Sequence, residues 1–252
     1  MHIAPLSGNP PMAKIATFRK EVWPSRNEAA KSVNRSRFYK TWDPRVREKL
    51  LQYGFREGPT TAVPNIDSRA VTLITSKHQE AFTNARANCD GLGIDGELGA
   101  EERTTHPDIH GDDPSKAPFY RPEIRLAYSM LESLRPACLY IMGKKSQFLA
   151  EPGLEAKLHW IGTGVGGSGG MKSGRVKFEK VNGAHFFPFE SIDETAEVIG
   201  DWIKNEAARS KKEEQVMLDR WEGKEGRQQE VVDEKWIQNV KNWNGKTIRP
   251  KL

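Results

Sequence analysis

Asn182-Gly183-Ala184-His185-Phe186-Phe187-Pro188-Phe189-Glu190 joins a stretch of strand character to one of helical character, and on this junction the fold turns. Upstream, residues 175–181 (RVKFEKV) alternate apolar and polar side chains as an edge strand does, and an Asn-Gly pair closes the run. Downstream, residues 191–208 predict a helix. Ser191 is placed as its N-cap, Glu194 as the return half of a capping box, and Ala196, Val198, Ile199 and Trp202 as its apolar positions. A histidine on the loop leaving the C-terminal end of such a strand can reach a nucleophile at a neighbouring strand's end while a carboxylate orients its other ring nitrogen. His185 is therefore the candidate catalytic residue.

Working outward, residues 137–142 (ACLYIM) form a continuous apolar run ending at Gly143, the pattern of a strand buried on both faces of a parallel sheet. Arg135-Pro136 introduces it, after a helix over 122–132. Strand, connection, strand, turn and helix make the closing unit of a doubly wound α/β sheet. Further toward the N-terminus, Ser25 caps one helix and Asp43-Pro44 starts another that runs to Gly54. The aromatic segment Phe38-Tyr39-Lys40-Thr41-Trp42 joins them, which suits a cap or lid layer. A β-branched run at 69–75 and a helix over 77–87 follow, whereas the residues before Ser25 read as loop with one short helix near 13–19 and no strand. Three regions result: loop and helical lid over 1–132 with a polar insertion near 88–115, the end of an α/β core over 133–208, and a charged helical tail over 209–252.

The chain has 252 residues, enough for one large domain. Lys and Arg exceed Asp and Glu by 39 to 34, an excess read as spread along the chain, so no nucleic-acid partner is expected. Cys89 and Cys138 make no disulfide framework and fit a reducing, intracellular compartment. Neither a signal peptide nor a membrane span is expected. The terminal Pro250-Lys251-Leu252 is a two-of-three match to the Ser-Lys-Leu peroxisomal address, which would engage an import receptor; without it the expected location is the cytoplasm.

Other motifs are weaker. Gly166-Gly167-Ser168-Gly169-Gly170 matches the Gly-x-Ser-x-Gly pattern as text, and Gly162, Gly164 and Gly167 match a dinucleotide loop. No strand precedes either one, so both are read as a flexible surface loop, with Ser168 set aside as nucleophile and no cofactor implied. His106, Asp108, His110, Asp112 and Asp113 are metal-capable but lack an apolar framework, and no metal site is expected there. Lys77-His78-Gln79-Glu80 suits either the start of a helix or a cleft-facing segment.

Glu21-Val22-Trp23-Pro24-Ser25, Phe38 to Arg45, Lys77 to Glu80 and the Gly162 to Gly170 loop, in that order, resemble the fungal α/β-hydrolases of toxin biosynthesis and, with them, the yeast peroxisomal lipase. The resemblance covers residues 10 to 205 or so. It implies a partial α/β-hydrolase fold: a helical lid, the last strands of the sheet and the C-terminal helices. It also implies that the family's nucleophile elbow precedes the lid, so this chain corresponds to the later portion of its relatives. The implied activity is on a small acyl, ester or thioester intermediate of a secondary-metabolite pathway, with His185 as general base. The alternative is a catalytically inactive interaction protein, with a protein partner covering an open sheet edge.

Overall fold

The computed structural model describes residues 10–85, 122–224 and 226–243. Two compact units are present, Met1–Ile199 and Gly200–Leu252.

The first unit contains two small sheets. In one, β1 (Val22–Trp23), β2 (Phe55–Glu57) and β3 (Val71–Leu73) run antiparallel with β3 in the middle. The central place explains why Val71, Thr72 and Leu73 are all buried. A strand at β1 departs from the sequence reading. Two residues carry no period, and it is pairing with β3 that makes them a strand. Helices α1 (Pro10–Phe18), α2 (Arg26–Arg35), α3 (Arg37–Lys40) and α4 (Pro44–Tyr53) surround this sheet in the chain, with α5 (Lys77–Asn84) packed on α1. The predicted caps are in place: Ser25 accepts from Glu28 N–H and Asp43 from Arg45 N–H. Trp23, Ala29, Val33, Phe55, Val71 and Leu73 form the core here, with Trp23 and Phe55 edge to face at 5.4 Å. Each large apolar side chain so buried contributes about 1.5–3 kcal/mol.

The second sheet is the parallel pair β4 (Cys138–Gly143) and β5 (Val176–Val181), in register from Cys138 opposite Val176 to Gly143 opposite Val181. Before it come α6 (Pro122–Met130) and a 3-10 turn, and the crossover between its strands carries α7 (Leu154–Trp160). Leu158 and Ile161 from the crossover pack on Val176, with Tyr140 and Phe178 beside them. The α/β expectation holds for this unit, but β4 does not have two covered faces: Cys138 through Met142 are half-buried. Among the described residues only β5 flanks it, so its apolar run is longer than its surroundings cover.

The glycine loop is not loose. Gly162 and Gly164 donate backbone N–H groups to Leu131 and Glu132 carbonyls, and Ser168 N–H donates to Leu134 O, all within 3.0 Å. Such bonds stitch it to the turn that precedes β4.

α8 (Phe187–Glu190) leads into α9 (Ile192–Trp221), which begins where predicted but continues well past residue 208. No glycine or proline interrupts residues 201–221, where Lys, Glu, Gln, Met and Leu favour helix, and Gly223 at φ +75° lies just beyond the end. In the second unit, α10 (Arg227–Glu230) and α11 (Glu234–Lys241) follow α9, and no described residue from 200 to 243 is buried. Among the described residues, no helix is long and apolar enough to cross a membrane and no His/Cys/Asp/Glu group is arranged to hold a metal ion. Cys89, the 106–113 cluster and Pro250-Lys251-Leu252 lie outside the described residues.

Candidate active site

β4 and β5 end side by side, and the chain leaves β5 through Asn182, Gly183 and Ala184 to present an exposed His185 just past both strand ends. Gly183 takes φ +108°, a conformation that favours glycine and turns the chain sharply. The loop after β4 is tied to this turn, with Lys144 N–H donating to Val181 O at 2.8 Å and Lys145 N–H to Gly183 O at 2.9 Å. Contact is so close that a Cβ on Gly143 would overlap the carbonyl oxygens of Gly183 and Ala184.

Two carboxylates hold the turn from the helix side. Glu190 Oε2 accepts from Ala184 N–H at 2.6 Å, directly before the histidine. Glu194 Oε2 accepts from Asn182 N–H at 2.8 Å, and its other oxygen faces Lys144 Nζ at 3.5 Å. The Asn182 backbone donor, then Lys144, holds the Glu194 carboxyl below the usual carboxylate range. The capping box expected of Glu194 is thus not formed. Its side chain is committed to the turn, and Ser191 N–H donates instead to Phe187 O at 2.8 Å.

The imidazole of His185 lies between Phe148, 4.7 Å away by ring centroids, and Phe186 at 5.2 Å. Phe148 stands on the 3-10 turn after β4, and its own N–H donates to the capping Ser146 Oγ. Neither ring nitrogen of His185 is hydrogen-bonded among the described residues, and the turn after β4 supplies lysines but no carboxylate. Residues 38–45 pack against the same loop. Phe38 meets Phe186 edge-on at 5.0 Å and Trp42 meets Phe189 at 4.6 Å. Asp43 N–H donates to Phe189 O at 2.8 Å, Thr41 Oγ1 donates to Glu190 Oε1 at 3.3 Å, and Arg45 donates to both oxygens of Asp193. Hydrogen bonds from Arg45 hold the Asp43 and Asp193 carboxyls below their usual range. The lid-like segment and the histidine turn are one assembly. Sequence reasoning had both stretches but not their contact; the density of aromatic residues in each was the available signal.

The remaining candidates fall elsewhere. Ser168 follows α7 and precedes a 3-10 turn, without the strand that an elbow requires, and its Oγ accepts from Gly170 N–H. The Lys77 to Glu80 motif starts a helix: Ser76 and Gln79 form a reciprocal capping box, and Glu80 pairs with Arg19 at 2.9 Å. Among the described residues, then, the site offers an exposed imidazole flanked by the Phe148 and Phe186 rings and without a hydrogen-bond partner.

In sequence, the chain is similar to fungal acyl-CoA thioesterases and abhydrolase domain-containing proteins. It is 33% identical over 243 residues to the type I acyl-CoA thioesterase mpaH of Penicillium roqueforti, covering 89% of this chain and 53% of that protein. With the thioesterase of the same name from Penicillium brevicompactum it shares 31% identity over 92% of its length and 55% of the relative's. The abhydrolase domain-containing protein AFT2-1 of Alternaria alternata is 24% identical over 77% of this chain. The chain spans about half the length of the thioesterases it matches. No protein-family model matches it. Among solved structures, the peroxisomal α/β-hydrolase of Saccharomyces cerevisiae aligns with 14% identity and a TM-score of 0.49, over 87% of this chain and 49% of that one.

Proposed function

We propose that the protein acts in hydrolysis of an acyl ester or thioester intermediate of fungal secondary metabolism, such as a fatty-acid-like or polyketide-like toxin precursor, with His185 as general base. The observation that carries this reading is the placement of His185 at the C-terminal end of the parallel pair, fixed through Ala184 and Asn182 by Glu190 and Glu194. The names of the relatives supply the substrate class. In this mechanism the imidazole takes the proton of a nucleophile as it attacks the acyl carbonyl, then delivers that proton to the departing thiolate or alkoxide. The protein, together with the upstream segment expected to carry the nucleophile, is to be assayed against acyl-CoA thioesters and short acyl esters, with fluorophosphonate labelling as a second readout. His185→Ala should lower turnover by about six orders of magnitude while leaving cooperative unfolding intact.

A second reading has its own support in β4, whose apolar residues are half-exposed along a strand with one neighbour among the described residues. Under it the protein is an interaction partner rather than a catalyst, and another chain covers that strand. Neither turnover nor labelling, in a folded sample that includes the segment carrying the nucleophile elbow, would decide for it. A peroxisomal address through Pro250-Lys251-Leu252 completes the proposal, and removing those three residues from a fluorescent fusion should disperse it from peroxisomes.

A further inference from the structure

Residues 10–56 hold twelve basic side chains and four acidic ones, an excess of eight against five for the whole chain, so the remaining residues carry a net three negative charges. The basic excess is therefore concentrated in the segment that packs on the histidine turn and is not spread along the chain. Much of it is already engaged. Arg19 pairs with Glu80 at 2.9 Å, Lys31 with Glu28 at 2.7 Å and Arg45 with Asp43 and Asp193, while Arg26 donates to the carbonyls of Leu51, Gln52 and Phe55. Arg35, Arg37 and Lys40 differ: all three are exposed, and none has a hydrogen-bond or ion-pair partner among the described residues. No acidic residue lies between Glu28 and Asp43 in the chain, and both of those carboxylates are committed, to Lys31 and to Arg45.

Arg35 is the last residue of α2, and Ser36 turns the chain directly into α3, so the three cations stand on one short bend. Within α3, Arg37 and Lys40 are three residues apart and share a face. The next face round carries Phe38 and Thr41, which meet Phe186 at 5.0 Å and Glu190 at 3.3 Å. Phe186 is in turn 5.2 Å from the His185 imidazole. The cations thus border the candidate site. Like charges gathered on one bend repel each other unless an anion joins them. One guanidinium is enough for a carboxylate, whereas three cations suit an anion of higher charge, and arginine forks match phosphate oxygens. Beside a site that receives an acyl group, such an anion is the phosphate of the acyl carrier.

We infer that Arg35, Arg37 and Lys40 form a phosphate subsite beside His185, which selects acyl groups carried on a phosphorylated thiol over simple esters. The selection rests on the hydrolase reading above; the binding is measurable without turnover. Calorimetric titration of the full chain compares coenzyme A with pantetheine, which has the same thiol arm and no phosphate. Coenzyme A should bind and pantetheine should not, and raising the salt should weaken the binding. The triple variant Arg35→Gln, Arg37→Gln and Lys40→Gln should weaken it about tenfold or more. Lys204→Gln, Lys211→Gln and Lys212→Gln, made together on α9, remove as much charge and should leave it unchanged. All six positions are exposed, so unchanged circular dichroism controls for folding. Equal binding of pantetheine, or equal loss in both triple variants, would overturn the inference. With the upstream segment included, the subsite variant should raise KM for an acyl-CoA about tenfold and leave kcat, and KM for the N-acetylcysteamine thioester, unchanged. Hydrolysis of neither thioester, with coenzyme A binding lost in the subsite variant, would sink the hydrolase reading and support the subsite. Hydrolysis of both, with KM unmoved by the variant, would do the reverse.

Discussion

At Gly143 the constraint is spatial, because the atoms that a Cβ would meet are backbone carbonyls of the histidine turn and cannot swing aside. Gly143→Ala should destabilise the protein by about 2–3 kcal/mol, seen as a lower urea midpoint with unchanged slope. Glu190 poses a different problem. Its loss in Glu190→Ala strands the half-buried Ala184 N–H and should cost about 1–2 kcal/mol, whereas Glu190→Gln keeps an acceptor and should recover much of that. Acid sensitivity follows from Arg45. Asp43 and Asp193 have folded pKa values depressed by its hydrogen bonds, so their contribution is present above the unfolded aspartate value of about 3.9 and is lost as pH falls through the lower folded values. Urea unfolding across that window should show stability declining on acidification, with a shallower decline in Arg45→Ala.

Among the elements, those that carry their own signals were legible. Ser25 and Asp43-Pro44 announce α2 and α4, and Ser25→Ala should cost about 1 kcal/mol, measurable in the same titration. The apolar run at β4 and the alternation at β5 mark two strands within one residue of their ends, and Asn-Gly followed by histidine marks the turn between β5 and the helix. What could not be read are features that depend on a distant partner. β1 is a strand because β3 lies beside it, and the glycine loop is ordered because carbonyls of residues 131–134 accept its N–H groups. Glu194 shows the limit most clearly. Local spacing offers it Ser191, three residues back, yet the fold brings Asn182 N–H into reach and the carboxylate goes there. Half of the candidate site was therefore visible, the histidine and its loop; the carboxylate clamps and the aromatic contacts with residues 38–45 were not.

At the scale of the whole molecule, the two units differ in how much they enclose. The first has two apolar cores, while the described residues of the second have none buried. A helix of eight residues without a buried face is marginal in water, so amides of α11 should exchange with deuterium at close to unprotected rates, while those of β3 are slow. Within the first unit, Glu190 spans the greatest sequence distance in the site: one oxygen accepts from Thr41, 149 residues upstream, and the other from Ala184 beside the histidine. A guest wedged beneath the aromatic segment would pull on the same carboxylate that holds the Ala184 amide, one residue before the histidine. Occupancy would thus be felt at His185 as a change in its rotational freedom, a mechanical coupling that nuclear magnetic resonance relaxation of the ring could register before any bond is broken.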